Sequence, residues 1–497
     1  MVKLVAAVMA TALGLSACGG SEPVTLGTPT PSGTPETRQL AANCAWLLRS
    51  DPDLLNIAFP DEDATYWVAA VPALPGTRLR IDAAFPAARY FSFNTYDVAL
   101  RPTDVLTDYQ LDPVDGLNPY RTAGPGGRYR AYIAPGAVPD VRADNTLYAG
   151  QIQLPGGAAL PNPAWAVLYR VYLGEGDAAG GVPLPRLTLE AAGQETPIAL
   201  QGCNPLPPEG VPSLLNDLIR NASGPDALNL LPFPLAPDTP EFVRFYGLPE
   251  TLRLLLSNAA GFSLPLQAVT AADTGGGFLS NIDNAYVTTM MSRQQGNLYI
   301  LRGRAPRQAH HPSEAPLGAA QLRYWSLCTN EFLSQRYVGC LHDDEVPLDR
   351  HGFFTVVVSD PANRPDTIED THGLAWLPWG AGYPDSVLIY RHMLPSPHFL
   401  EAVQNVPYGT PAVDVMGDVL PEIGDIKGNN LTRVDIRSML RKITDRPAPI
   451  LANRAHDITR SMLNWALLED EDDQYRLESN VAEKIGRNIE SPRERYL

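Results

Sequence analysis

Two stretches of this chain, residues 64–173 and 284–394, repeat one another in order, and this duplication limits the fold more than any other feature. "LPGTRLRIDAAFPAARYFSFNTYD" (74–97) has its counterpart in "QQGNLYILRGRAP" (294–306) followed by "LRYWSLCTNE" (322–331), which aligns Arg89-Tyr90 with Arg323-Tyr324. "RAYIAPGAVPD" (130–140) matches "FTVVVSDPANRPD" (354–366), and "WAVLYRVYL" (165–173) matches "SVLIYRHML" (386–394). Within these pieces apolar residues alternate: Leu79 and Ile81 interleave with Arg78, Arg80 and Asp82, and "FFTVVV" is aromatic and β-branched. Pro and Gly clusters separate the runs at hairpin-like intervals, in line with 48 prolines and 40 glycines overall. Each half is therefore expected to be a small antiparallel sandwich or jelly-roll-like unit.

The flanks read differently. Residues 1–18 have the layout of an export signal, with Lys3 before an apolar run from Leu4 to Leu15. That run is too short for a bilayer span, which needs roughly 20 residues. Residues 19–40 are rich in Pro, Gly, Ser and Thr and read as a disordered spacer. The expected order is then repeat 1 over 41–205, a helical connector over 206–280, repeat 2 over 281–417, and a small all-α domain over 418–497, in a chain that is mainly β. Four cysteines follow the leader. Cys328 with Cys340 and Cys44 with Cys203 are the expected disulfides, with four free thiols as the alternative.

A direct search for chemistry finds little. The chain has no Gly-x-Ser-x-Gly elbow, no phosphate loop and no His-Glu-x-x-His. "GEGDAAGG" (174–181) reads as a loop, and His310-His311 as part of an exposed one. The densest polar group is "CLHDDEVPLDRH", with His342, Asp343, Asp344, Asp349 and His351, but its spacing fits no familiar metal site. No metal or cofactor is therefore expected. The repeats' tyrosines and tryptophans fit either core or a ligand groove. A formal charge of −17 argues against broad attraction to nucleic acid or anionic lipid.

Leu15-Ser16-Ala17-Cys18 resembles a bacterial lipobox, which implies cleavage before Cys18, lipidation of that residue and attachment to the cell envelope, at the outer membrane if the host has one. An ordinary signal peptide with Cys18 incidental is the alternative. Residues 44 to about 417 resemble a family of uncharacterised exported bacterial proteins, through "ATYW", "ARYFSFN", "LRYWSLC" and "WLPWG". That family brings no known chemistry.

From about Val419 the character changes to helical spacing. Thr432 and Asp435 cap one stretch carrying Ile436, Met439, Leu440 and Ile443. A second begins after Pro447 and Pro449 and carries Ala455, Ile458, Met462 and Trp465. Leu420-Pro421, Ile423-Gly424-Asp425, Leu431-Thr432-Arg433, Asp445-Arg446, Ala448-Pro449-Ile450, Ala452-Asn453-Arg454 and Asn464-Trp465-Ala466 recur here in order. With Ser491-Pro492-Arg493-Glu494-Arg495, they resemble the core-binding domain of tyrosine recombinases. The resemblance implies a helical DNA clamp, with phosphate contacts expected from Arg433, Arg437, Arg441, Lys442, Arg446, Arg454 and Arg460 and a polar contact from Asn453. The recombinase catalytic residues have no counterpart, and nothing basic surrounds Tyr496, so no enzyme is expected. The combined expectation is a non-catalytic fusion of an exported lipoprotein of unknown ligand with a DNA-binding tail. The alternative is an envelope lipoprotein that binds a ligand or protein partner and carries a functionless tail.

Overall fold

The computed structural model describes residues 45–46, 48–52, 56, 59–73, 76–97, 101–153, 159–191, 198–199, 234, 236–238, 240–244, 279–309, 311–314, 320–331, 335–364, 374–380, 384–407 and 410–426. The first half contributes β1 Leu48–Ser50, β2 Ala64–Pro72, β3 Thr77–Ala84, β4 Ala88–Tyr96, β5 Pro102–Thr107, β6 Pro113–Asp115, β7 Arg128–Ala134, β8 Thr146–Tyr148, β9 Gln151–Gln153, β10 Ala159–Pro161, β11 Ala164–Gly174, β12 Arg186–Ala191 and β13 Ile198–Ala199. The second contributes β14 Val243–Arg244, β15 Asn284–Ser292, β16 Leu298–Arg304, β17 Tyr324–Glu331, β18 Tyr337–His342, β19 Phe353–Ser359, β20 Ala375–Pro378, β21 Asp385–Met393 and β22 Glu422–Ile426.

The two halves share one topology. Strands β2-β11-β4-β5 run side by side in the first, and β15-β21-β17-β18 in the second. In the opposing sheets, β12-β3-β7 corresponds to β22-β16-β19, and β8 and β20 lie parallel to β7 and β19. Each half is a sandwich with its own core. Phe91, Phe93, Tyr129 and Tyr169 fill the first, with Phe93 stacked on Tyr169 at 4.9 Å between centroids. Trp325, Phe354 and Tyr390 fill the second, with Trp325 and Phe354 at 5.2 Å. Each large apolar side chain buried there stabilises the fold by roughly 1.5–3 kcal/mol.

Alternation explains the rest of the architecture. Along β4, Phe91 and Phe93 point into the sandwich, so Tyr90, Ser92, Asn94 and Tyr96 point out of it, yet they too are buried. The same holds for Tyr324, Ser326 and Cys328 of β17. These outer faces meet: Tyr90, Tyr172, Tyr324 and Met393 form one cluster, with the Tyr172 and Tyr324 rings 5.4 Å apart. Two sandwiches are thus joined through a seam whose residues are polar but sealed from water.

Two expectations are corrected. Val243–Arg244, inside the expected helical connector, is a strand that pairs with Thr288 and Val287 of β15. Glu422–Ile426, assigned by sequence to the helical tail, is the edge strand of the second sandwich, with Ile423 opposite Leu301 and Asp425 opposite Tyr299. The β body therefore extends to 426, because Ile423 has an apolar sheet to pack against. Residues 427–497, with all eight expected DNA contacts, lie outside the described residues, as do residues 1–44 with Cys18. Among the described residues no helix is long and apolar enough to cross a membrane.

Candidate functional site

The seam is built by two pentapeptides that precede the first long strand of each half, "FPDED" (59–63) and "LSNID" (279–283). Each crosses to the other half. Phe59 and Leu279 both take positive φ, 53° and 51°, a costly conformation for bulky residues. Their carbonyls accept from the partner half's arginine: Arg391 Nη2 donates to Phe59 O at 2.8 Å, and Arg170 Nη2 donates to Leu279 O. Charge-assisted bonds of this kind offset the backbone strain.

The ion pairs are reciprocal as well. Arg323 of the second half meets Asp108 of the first at 3.1 Å, with both side chains fully buried. Arg89 of the first half meets Asp343 of the second at 3.2 Å and also binds Asp344, whose carboxylate is half exposed. Each arginine additionally donates to the other's carbonyl, at 3.4 and 3.3 Å. The tyrosines follow suit. Tyr324 donates to Asp61 Oδ1 at 2.9 Å, while the Tyr90 hydroxyl donates to Asp283 Oδ2 at 2.7 Å and accepts from Asn281 Nδ2 at 2.9 Å.

At the rim of the second half, Asp63, His342 and Glu345 bring three ligand atoms within 4.8 Å of one another. His342 Nε2 lies 3.9 Å from Asp63 Oδ2 and 3.7 Å from Glu345 Oε2. Its Nδ1 accepts the Asp344 N–H at 3.2 Å, so a neutral ring carries its proton on Nε2, the nitrogen a metal would need. Burial and the neighbouring Asp61 push Asp63 up to about 7. Burial opposes the imidazolium, but Asp343, Asp63 and Glu345 outweigh it and hold His342 above its ordinary range. His342 and these carboxylates attract one another by charge, with Asp343 Oδ1 3.5 Å from Nδ1 and the Nε2 distances longer than a hydrogen bond. A second group, Asp61 with Cys328 and Cys340, offers no thiolate, because the two cysteines are bonded to each other.

The five-residue constellation read from "CLHDDEVPLDRH" does not stay together. His342, Asp343 and Asp344 reach the seam, whereas Asp349 pairs with the buried Arg302 and His351 accepts from Arg350 on the surface. Chain spacing carried the last two past a turn, away from the cluster. His311, expected in an exposed loop, is half-buried and bonds to Ser313, and His310 lies outside the described residues. The Cys328–Cys340 disulfide is formed, and Cys44 and Cys203 lie outside the described residues. These aromatics pack in the interior: tryptophans 67, 165 and 325 lie in the cores of the sandwiches, and tyrosines 66, 90, 96, 172 and 324 in the seam between them. Sequence reasoning missed Asp61, Asp63, Asp108, Asp283, Arg170, Arg323 and Arg391. The register of the repeat was the available signal, since it aligns "DEDATY" with "NIDNAY" and "TDYQ" with "HDDE".

No family model matches this sequence, and no curated protein matches it. Among solved structures, the chain is similar to an uncharacterized protein from Burkholderia cenocepacia, at 15% identity and a TM-score of 0.41, over 78% of this chain and 83% of that one. It is also similar to the VPA0106 protein from Vibrio parahaemolyticus, at 14% identity and a TM-score of 0.34, over 75% of this chain and 92% of that one.

Proposed function

We propose that this is an exported, lipid-anchored and non-catalytic protein, whose paired sandwiches bind a ligand or protein partner at the cell envelope. In this reading the integrase-like tail is a fused remnant and not a working DNA clamp. The observation that carries the proposal is the Cys328–Cys340 bridge, which joins neighbouring strands with both cysteines buried. Such bonds persist in oxidising compartments and are rare in a reducing cytoplasm, in agreement with the lipobox-like leader.

The non-catalytic part of the reading is supported by the seam, where Arg89, Arg323 and Arg391 engage carboxylates across the two halves. The DNA-binding reading rests on the family resemblance of the tail. Against it, Ile423-Gly424-Asp425, part of the matching phrase, lies in β22 of the sandwich. An exported tail also meets no chromosomal DNA.

The test is fractionation of native host cells that carry a C-terminal tag on the chain. The expected result is a full-length band in the membrane fraction, released into the soluble envelope fraction by Cys18→Ser, with Cys328 and Cys340 protected from alkylation until reduced. A short cytoplasmic band that binds duplex DNA with a steep salt dependence would overturn the proposal and favour the DNA-binding reading.

A further inference from the structure

The two seam arginines are equivalent in the repeat but not in their company. Arg391 has Asp61 at 3.8 Å, donates to Cys328 Sγ at 2.7 Å and donates to Phe59 O. Arg170 is 2% exposed and bonds to no carboxylate among the described residues. Its Nη2 reaches Leu279 O, while its Nη1 is buried with no hydrogen-bond partner. The rings of Tyr66 and Tyr96 lie 5.5 Å from the guanidinium, which offsets part of the cost of burying the charge.

The reason for the difference is one residue. The position equivalent to Asp61 is Asn281, a neutral amide that hydrogen-bonds to Tyr90. Asp283, two residues on, is near enough for its charge to act on Arg170, but it accepts its hydrogen bonds from Thr107 and from Tyr90 and not from the guanidinium. Around this end of the seam Ser280 Oγ and Asn284 Oδ1 are also buried and unpartnered, and Tyr96 donates to Ser280 O at 2.8 Å. A buried guanidinium whose nearest carboxylate is engaged by other donors, and whose Nη1 has no hydrogen-bond partner, is unfavourable. The unpaired Nη1 is the donor that an anion would use.

We propose that the seam holds a small monovalent anion, a carboxylate or a halide, against Arg170, in the role that the Asp61 carboxylate plays against Arg391. The inference rests on the seam geometry alone and does not depend on where the protein resides. Chloride and formate are the probes. The full chain is transferred into buffer whose only anion is gluconate, a much bulkier ion than either probe, and each probe is added at constant ionic strength.

The expected result is a saturable rise in Tm on the order of 2 °C. A response to formate alone assigns a carboxylate, and a response to both assigns any small anion. Asn281→Asp supplies the missing carboxylate, and its Tm is expected to lose the response. A Tm that follows ionic strength whatever the anion, or an N281D variant that keeps the wild-type response, would overturn the proposal. Should N281D not fold, ³⁵Cl line broadening on the wild-type chain decides. Saturable broadening that formate removes supports the site, and broadening that is absent or indifferent to formate contradicts it.

Discussion

The two halves of the seam occupy equivalent backbone but differ in where a histidine stands among the carboxylates. In the first, Thr107, Asp108 and Gln110 close a turn in which Gln110 Oε1 accepts the Thr107 N–H at 3.0 Å, and Thr107 donates to Asp283. In the second, His342, Asp343 and Glu345 make the same turn, with Glu345 Oε2 accepting the His342 N–H at 3.2 Å, but His342 meets Asp63 where Thr107 meets Asp283. Neutral donors sit in the half that is sealed, around the fully buried Arg323–Asp108 pair. The histidine sits in the half that opens at its rim, where Asp344 and Glu345 are about half exposed. Duplication supplied one framework of arginines, tyrosines and aspartates. Burial then determined which half could keep a charged histidine–carboxylate cluster.

The comparison makes graded predictions. Asp108→Asn removes the carboxylate that pairs with Arg323 in a sealed site and should cost about 3–5 kcal/mol in urea unfolding. Asp343→Asn should cost less, about 1–3 kcal/mol, because Arg89 keeps Asp344. Equal losses would mean that the two halves are sealed alike. Replacing both Cys328 and Cys340 by Ser should cost about 2–4 kcal/mol. The equivalent cross-strand pair in the first half, Asn94 and Val105, has no such bond, so reduction should loosen the second sandwich first, visible as earlier amide exchange in β17 and β18.

A pH series reads both halves, because burial also pushes Asp108 of the first half up to about 6 and its contribution falls with rising pH in the same sense as that of Asp63. Because the folded state holds Asp63 at about 7, against an ordinary 3.8, it binds more protons than the unfolded chain between these values. Stability contributed by this group therefore falls as pH rises from about 4 to 7. His342, held above its ordinary range, acts with the same sign and loses its contribution as pH rises past 6.5. Asp63→Asn should flatten the decline relative to the wild-type chain. His392, pushed down to about 3 by burial in the second core, acts with the opposite sign and is common to both proteins. The smallest effect is expected for Glu345→Gln, which copies Gln110 into the second half at a half-exposed site and should stay within about 0.5 kcal/mol.

Much of the fold was legible because the repeat is carried by strand alternation. Leu79, Ile81, Phe91 and Phe93 announce one buried face, and their counterparts do so again some 230 residues later. The seam was not legible in the same way. Tyr90, Ser92 and Asn94 look like the solvent face of a half-buried strand, and only the docking of a second sandwich makes them interior. Asp61 and Asp108 lie far apart in sequence from Arg391 and Arg323, so no local spacing joins them. The start of the tail misled for a related reason. "IGD" fits a helical family's phrase, yet five residues of extended chain next to an open sheet edge at β16 gain a full ladder of hydrogen bonds.

The most direct test of the seam's asymmetry is an exchange of its two differing residues, Asp61→Asn together with Asn281→Asp, followed by the anion dependence of Tm in single and double variants. If one carboxylate sets the difference between the two arginines, Asp61→Asn alone should be the least stable and respond most strongly to formate or chloride. The double exchange should recover most of that loss and keep the dependence, now arising from Arg391. A double variant that loses as much stability as the two single variants together, or whose Tm no longer responds to either anion, would contradict the account.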